Sequence, residues 1–303
     1  MHRICSYRPR DNESERRMSL PSFEYKAPGT VEEAVALLAE YGDDALVVAG
    51  GLTVVILLRE RLARPRALIS LSEIPELDAI TINGNASIGA TVTHTQVTRS
   101  ADLAGFAPLI GEACGRVGSP GIRNMGTLGG SVSHGDAASD TAPALLALGA
   151  EAVVAGPDDL RTVPLNDFFF GVFETALEEG EILTTLRIPP ASQGTRTRFK
   201  KYTCTSVEAF AAVTVATAVD LDADENCIKA RIGLGSVAPK PMRAIAAEDL
   251  LCGQKLTAEL IAEAADVAAG ETDPSSDGQG TSDYRRDMTR VWVRRLLEDT
   301  MTG

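Results

Sequence analysis

Two glycine pairs stand where bare backbone could do chemistry. The stretch VVAGGLTVV, from Val47 to Val55, sets Gly50 and Gly51 between runs of β-branched and apolar residues. The stretch GTLGGSVSHGDAASD, from Gly126 to Asp140, sets Gly129 and Gly130 among small and hydroxyl side chains. A loop of small residues between a strand and a helix presents consecutive N–H groups, and glycine lets a bulky anion approach the backbone closely. Such a loop cradles phosphate, and two of them suit a diphosphate gripped from both sides. Either pair alone reads equally well as a tight turn. Gly-x-Gly-x-x-Gly and a Walker lysine loop are both absent, so the ordinary Rossmann and P-loop readings fall away. Asp140, just before TAPALLALG, is either a helix N-cap or a carboxylate that accepts hydrogen bonds from sugar hydroxyls.

The surrounding patterns say how the pairs are mounted. GTVEEAVALLAEYG reads as a helix with Thr30 as N-cap, Glu33 completing a capping box, Ala34, Leu37, Leu38 and Tyr41 on one face, and Gly42 as its end. ALVVAGG reads as a strand feeding the first pair, VVILLRERL as a helix, and PRALISL as a second strand. AITING and ASIGATVTH form a hairpin about Asn-Gly-Asn. A helical pattern runs from Thr95 to Val117, and GSPGIRNMG reads as loop. TAPALLALG is a short helix with Pro143 in its first turn; AEAVVAG and EGEILTTLRIPP are strands, and ASQGTRTR is a linker. Beyond it come the strand FKKYT, the run AFAAVTVATAVDL, its hairpin partner KARIGLGSV and two helices. The last helix carries Tyr284, Met288, Val291, Trp292 and Leu296 on its expected core face.

Composition narrows the function classes. The 303 residues contain 44% hydrophobic and 23% charged residues, a globular make-up. A net charge of -13 repels a phosphate backbone, which argues against nucleic acid as a partner. Cys5, Cys114, Cys204, Cys227 and Cys252 are scattered, without the spacing of a zinc or iron-sulfur site, and an odd count points to reduced thiols in a cytoplasm. No run is long enough to span a membrane. Residues 1–17 read as a tail without a secretory leader, and Met18 is a candidate start. His134 reads as packed among small residues, and His2 and His94 have no acidic or histidine cluster beside them. No nucleophilic triad is supported.

Together, VVAGGLTVV, GSPGIRNMGTLGGSVSHGDAASDTAPALLALGAEAVVAG and SSDGQGTSDYRRDM resemble the FAD-binding medium subunit of the molybdenum hydroxylases, the family of xanthine dehydrogenase and aerobic carbon monoxide dehydrogenase. The likeness runs from about Leu20 to Leu297, and IRNMGTLGG followed by Asp140 is its most specific block. The resemblance implies an α+β architecture. A two-subdomain FAD-binding fold of the PCMH type comes first, over residues 18–193 with subdomains at about 18–75 and 76–193. A C-terminal domain of the CO dehydrogenase flavoprotein type follows over 196–303, an antiparallel sheet with helices.

It also implies site residues. Ala49, Gly50, Gly51, Leu52 and Thr53 match the first pyrophosphate loop; Thr127, Leu128, Gly129, Gly130 and Ser131 match the second. Asp140 matches the acid that bonds the ribityl or ribose portion, and Val117 and Leu183 fall at positions packed near the cofactor. Lys201 matches a lysine near the isoalloxazine, and Phe210 the residue that shields one face of the ring. The family reading is a flavoprotein oxidoreductase subunit for electron transfer, with no catalytic residue and no metal of its own. Molybdopterin is expected on a large subunit and iron-sulfur clusters on a small one, in a dimer of heterotrimers, with a quinone, NAD or oxygen as external acceptor.

The chain departs from the family pattern at Leu52, where a polar residue is frequent, at Ala209, where an Asp usually precedes the shielding residue, and at YTCTS, a segment commonly basic. Two other readings survive at this level. A stand-alone FAD-dependent oxidase or reductase would turn over alone, and a non-catalytic flavin-binding protein would bind FAD without passing electrons.

Overall fold

The computed structural model describes residues 22–301. The tail expected over 1–17, with His2 and Cys5, and the candidate start Met18 lie outside the described residues. Strands β1 (Glu24–Lys26), β2 (Ala45–Val48) and β3 (Ala67–Ser70) form a parallel sheet in the order β1-β3-β2. Helix α1 (Val31–Tyr41) starts at Thr30, whose Oγ1 accepts the Glu33 N–H at 3.2 Å. The Glu33 carboxylate accepts the Gly29 N–H, not that of Thr30, so the expected capping box is shifted by one residue. Its buried face is Val31, Ala34, Val35 and Leu38, while Leu37 and Tyr41 are only half-buried. Helix α2 (Leu52–Arg59) follows the first glycine pair, as expected.

The second layer is antiparallel. β4 (Ile80–Asn83) and β5 (Asn85–Gly89) form the expected hairpin, turning at Gly84 with φ 73°. The helical pattern after it divides into α3 (His94–Arg99), α4 (Ala101–Phe106) and α5 (Pro108–Gly115), because Ser100 caps a new helix and Pro108 opens another. GSPGIRNMG, expected as loop, contains α6 (Pro120–Met125), with Ser119 as N-cap and Pro120 at its start. The second glycine pair lies inside the first turn of α7 (Leu128–His134) and follows a helix, not a strand. Then come α8 (Ala142–Leu148), β6 (Glu151–Ala155), β7 (Leu160–Pro164), a small hairpin of β8 (Phe169–Gly171) and β9 (Glu174–Thr175), and β10 (Ile182–Ile188). The sheet order is β4-β5-β10-β6-β7.

The third sheet is antiparallel, in the order β11 (Thr195–Tyr202), β12 (Val213–Leu221), β13 (Cys227–Gly235) and β14 (Met242–Arg243). β11 begins inside the expected linker. β12 is buried at nearly every position because α8 packs on one face and α11 (Ser282–Met301) on the other, which is why it reads as a continuous apolar run. Helices α9 (Ile245–Leu251) and α10 (Ala258–Gly270) complete that layer. The buried stripe of α11 is Arg285, Thr289, Val293, Leu296, Leu297 and Thr300. Tyr284, Met288, Val291 and Trp292, expected at the core, are half-buried at its margin, because Arg285 spends its guanidinium inside on Ala212 O and Ser236 O. No described helix is long and apolar enough to cross a membrane.

Helix α8 is buried along its whole length, and this joins the second and third layers. Its closest approach needs glycine: a Cβ on Gly233 of β13 would lie 2.1 Å from Pro143 O. Gly233→Ala is expected to destabilise the chain by ~1–3 kcal/mol or more, since backbone and not a flexible side chain must move. Gly270→Ala, with nothing within 4 Å of its Cβ, stays within about 1 kcal/mol of the parent. Equal thermal midpoints for the two variants would contradict this packing.

Candidate functional site

The two glycine pairs meet. Gly51 holds the left-handed conformation, φ 75°, that turns β2 into α2, and nothing within 4 Å crowds it. Gly50 is held by contact: a Cβ there would lie 2.1 Å from Met125 O and 3.1 Å from Gly126 Cα. A Cβ on Gly130 would lie 4.0 Å from that of Ala49, and one on Gly129 would lie 2.6 Å from Ala90. Residues 49–53 with Gly130 and Ser131 thus form one half-exposed surface at the starts of α2 and α7, and Thr127, Leu128 and Gly129 lie buried directly beneath it.

Donors remain free on this surface. The first backbone bond of α2 runs from Val55 N–H to Gly51 O, and the N–H groups of Gly51, Leu52 and Thr53 take no acceptor among the described residues. In α7, Thr127 Oγ1 accepts the Gly130 N–H at 3.0 Å, Leu128 N–H donates to Val92 O, and the Gly129 N–H takes no described partner. Helix dipoles add partial positive charge at both starts. The surface can therefore hold an anion without a lysine, and the nearby Arg123 is already tied to Val117 O and Gly118 O at 2.8 and 2.7 Å.

Asp140 is not the N-cap of α8; Thr141 holds that position without a side-chain cap bond. Instead Asp140 Oδ2 accepts from Lys201 Nζ at 2.7 Å, and the same ammonium donates to Arg116 O at 3.0 Å. Both side chains are buried, at 4% exposure for Lys201 and 9% for Asp140. Asp140 Oδ1 is buried with no protein partner, a carboxylate oxygen left with acceptor capacity. Burial pushes the Asp140 carboxyl up to about 6, against the lowering effect of Lys201, so it is ionised at neutral pH. The buried Cys114 thiol is also raised, first by burial and then by the Asp140 charge.

Other expected site residues are spread around this centre. Val117 is half-buried beside Arg123, and Leu183 is buried in the central core. The backbone carbonyl of its neighbour Thr184 accepts the N–H of Ala90, the residue that Gly129 packs against. Phe210 is 64% exposed and lines a cavity of about 380 Å³ with Ala138, Ser236 and Arg285. His134 stacks on Phe173 at 4.7 Å between centroids. His94 was missed as a support of the site: its Nε2 pairs with Ser131 Oγ at 3.1 Å, and its backbone N–H donates to Gly126 O. Burial, with Arg123 nearby, lowers it to about 4, so the ring is neutral. Among the described residues no group of His, Cys, Asp and Glu side chains could hold a metal ion.

Residues 21–191 match the family model described as the FAD binding domain in molybdopterin dehydrogenase, and residues 198–300 match the CO dehydrogenase flavoprotein C-terminal domain. The carbon monoxide dehydrogenase medium chain of Hydrogenophaga pseudoflava is 36% identical over 91% of this chain and 96% of its own length. The nicotine 6-hydroxylase medium subunit of Paenarthrobacter nicotinovorans is 32% identical, over 92% and 98%. The solved carbon monoxide dehydrogenase of H. pseudoflava that lacks the Mo-pyranopterin moiety superposes with a TM-score of 0.90, covering 94% of this chain and 99% of its counterpart at 35% identity.

The Asp140 environment sets a pH dependence. Its folded carboxyl titrates near 6 and its unfolded one near 3.8, so the folded state holds more protons between these values. Its contribution to stability therefore falls as pH rises through that window. Asp140→Asn mimics the neutral acid and lacks the effect. Denaturant titration of the cofactor-free proteins should show wild type losing stability relative to Asp140→Asn from about pH 4 to about pH 6; a pH-independent difference would contradict the burial of this group.

Proposed function

This chain belongs to the FAD-binding subunits of the molybdenum hydroxylase family, and from that premise we propose that it is the electron-output subunit of such an enzyme. It binds FAD. The observation that carries the siting is the meeting of the two glycine pairs, which puts unpaired N–H donors from two helix starts on one surface. That surface fits a diphosphate. Ala49, Gly50, Gly51, Leu52 and Thr53 hold it from one side; Thr127, Leu128, Gly129, Gly130 and Ser131 hold it from the other. The unpartnered Asp140 Oδ1 suits a ribityl or ribose hydroxyl, with Lys201 keeping the carboxylate ionised and aimed. Val117 and Leu183 pack beside the cofactor, and Phe210 covers one face of its ring.

What FAD supplies when bound is two-electron uptake with return in single steps, the chemistry that links iron-sulfur centres to an external oxidant. The relatives' standing as medium chains supports partners that hold the remaining centres: a large molybdopterin subunit, where substrate is oxidised, and a small iron-sulfur subunit. We assign the assembly as a dimer of heterotrimers in the cytoplasm, with a quinone, NAD or oxygen as acceptor. No residue of this chain contacts the oxidised substrate.

Purified chain is expected to show flavin absorption, with the chromophore released into the supernatant on heat denaturation. Gly50→Ala should lower FAD affinity at least tenfold by parting the two loops, whereas Gly51→Asn, which tolerates a positive φ, should lower it far less. A colourless chain that takes up no added FAD would sink the siting. The electron route is tested separately: substrate should bleach the flavin in the complex, and turnover by the FAD-loaded chain alone would identify a stand-alone oxidase instead.

A further inference from the structure

Cys227 and Cys252 meet at a turn in the C-terminal layer, outside the glycine site. Cys227 opens β13 and is fully buried; Cys252 follows the last turn of α9 and is half-buried. Residues 251–254 form a type II turn, with Cys252 at φ -63°, ψ 133°, Gly253 at φ 78°, and the Gln254 N–H donating to Leu251 O at 3.2 Å. Gly253 N–H donates to Cys227 O at 2.7 Å, and Cys227 N–H donates to Gln254 O at 2.8 Å. This is the bond pattern of a β-bulge whose first residue is a left-handed glycine, in which two residues of the turn face one residue of the neighbouring strand.

The two reciprocal backbone bonds fix Cys227 against the turn that carries Cys252. Burial, followed by the proximity of Cys252, pushes the Cys227 thiol up to about 12. Both thiols are free. Their exposures differ in a way that fixes an order of reaction: a reagent from solution reaches Cys252 and not Cys227.

We propose that Cys227 and Cys252 form a dithiol site that closes to a disulfide on reaction with a low-molecular-weight disulfide of the glutathione kind. The Cys252 thiolate attacks one sulfur of the oxidant; that S–S bond breaks, and the departing small thiolate takes up the proton Cys252 gave up. Cys227 then attacks the Cys252 sulfur of the mixed disulfide, and the second small thiol leaves with the Cys227 proton. Two protein thiols lose two electrons, and one small disulfide becomes two thiols. The raised Cys227 thiol slows the second step, and the backbone bonds that hold Cys227 against the turn of Cys252 make it intramolecular. The closed bond ties the start of β13 to the end of α9.

The full chain, treated with oxidised glutathione at mildly alkaline pH and then alkylated, is mapped by peptide mass spectrometry. The expected result is a cross-linked peptide pair joining Cys227 to Cys252, with loss of both from the alkylatable thiols and return of both on reduction. The exposed Cys204 stops at the glutathione adduct. Cys227→Ser should leave a lasting adduct on Cys252, and Cys252→Ser should leave residue 227 unmodified. A lasting adduct on Cys252 in the wild-type chain, or full alkylation of both thiols there, overturns the proposal without any variant.

Discussion

The site depends on one steric condition: the backbone at Gly50 must lie against the backbone at Met125 and Gly126. Two parts of the chain meet there: the parallel sheet leads from β2 into α2, and α6 leads into α7, so each brings a helix start to the same surface. Any side chain at Gly50 would hold the two units apart by the width of a methyl group. The resulting donors are neutral N–H groups, which suits a chain of net charge -13. An anion is attracted locally by two helix ends and not by a basic patch, so the overall acidity does not oppose binding at short range. Leu52 fits this account. Its backbone N–H is available, while its side chain packs towards Gly126 where a polar residue is frequent in the family.

The C-terminal domain is part of the same construction. Gly233 and Gly235 let β13 close on Pro143, and three residues before Pro143 stands Asp140, which accepts from Lys201 of β11. The ion pair therefore crosses from the FAD-binding domain to the C-terminal domain at the edge of the site. A buried pair of this kind is weak evidence for stability, because desolvation offsets much of the attraction. Its value is directional. Lys201 spends donors on Asp140 and Arg116 O, and this leaves one carboxylate oxygen aimed and unsatisfied. A simple helix cap at Asp140 would have used that oxygen on the backbone.

The long periodic elements and the β4–β5 hairpin were legible in the sequence because local pattern and tertiary burial agree there. The failures cluster at glycine. GSPGIRNMG and GTLGG read as loops, yet both contain helices, since Ser119, Pro120 and Thr127 cap them strongly enough to offset the glycines. Glycine in α7 answers to the contact with Ala90, which no local pattern announces. His94 was passed over for a similar reason: its partner Ser131 is far away in sequence, and only the fold joins them. The face of α11 was misplaced because a buried arginine, Arg285, occupies the position that hydropathy assigns to solvent. The roles of Asp140 and Lys201 came from family resemblance; composition and spacing left Asp140 open between cap and ligand.

The two ends of the site are governed by different parts of the chain. In the proposed siting the diphosphate end is backbone, fixed by glycine contacts and helix starts. In that siting the ring end falls to side chains on β11 and on the exposed segment that follows it, where Phe210, Cys204 and Val207 face solvent. The departures at Ala209 and in YTCTS fall on that segment, away from the glycine contacts. On that proposal cofactor retention and cofactor reactivity vary independently: the first follows how closely two backbones meet, the second which side chains the C-terminal domain brings over the ring. Family members that serve different acceptors could share the first constraint and differ only in the second.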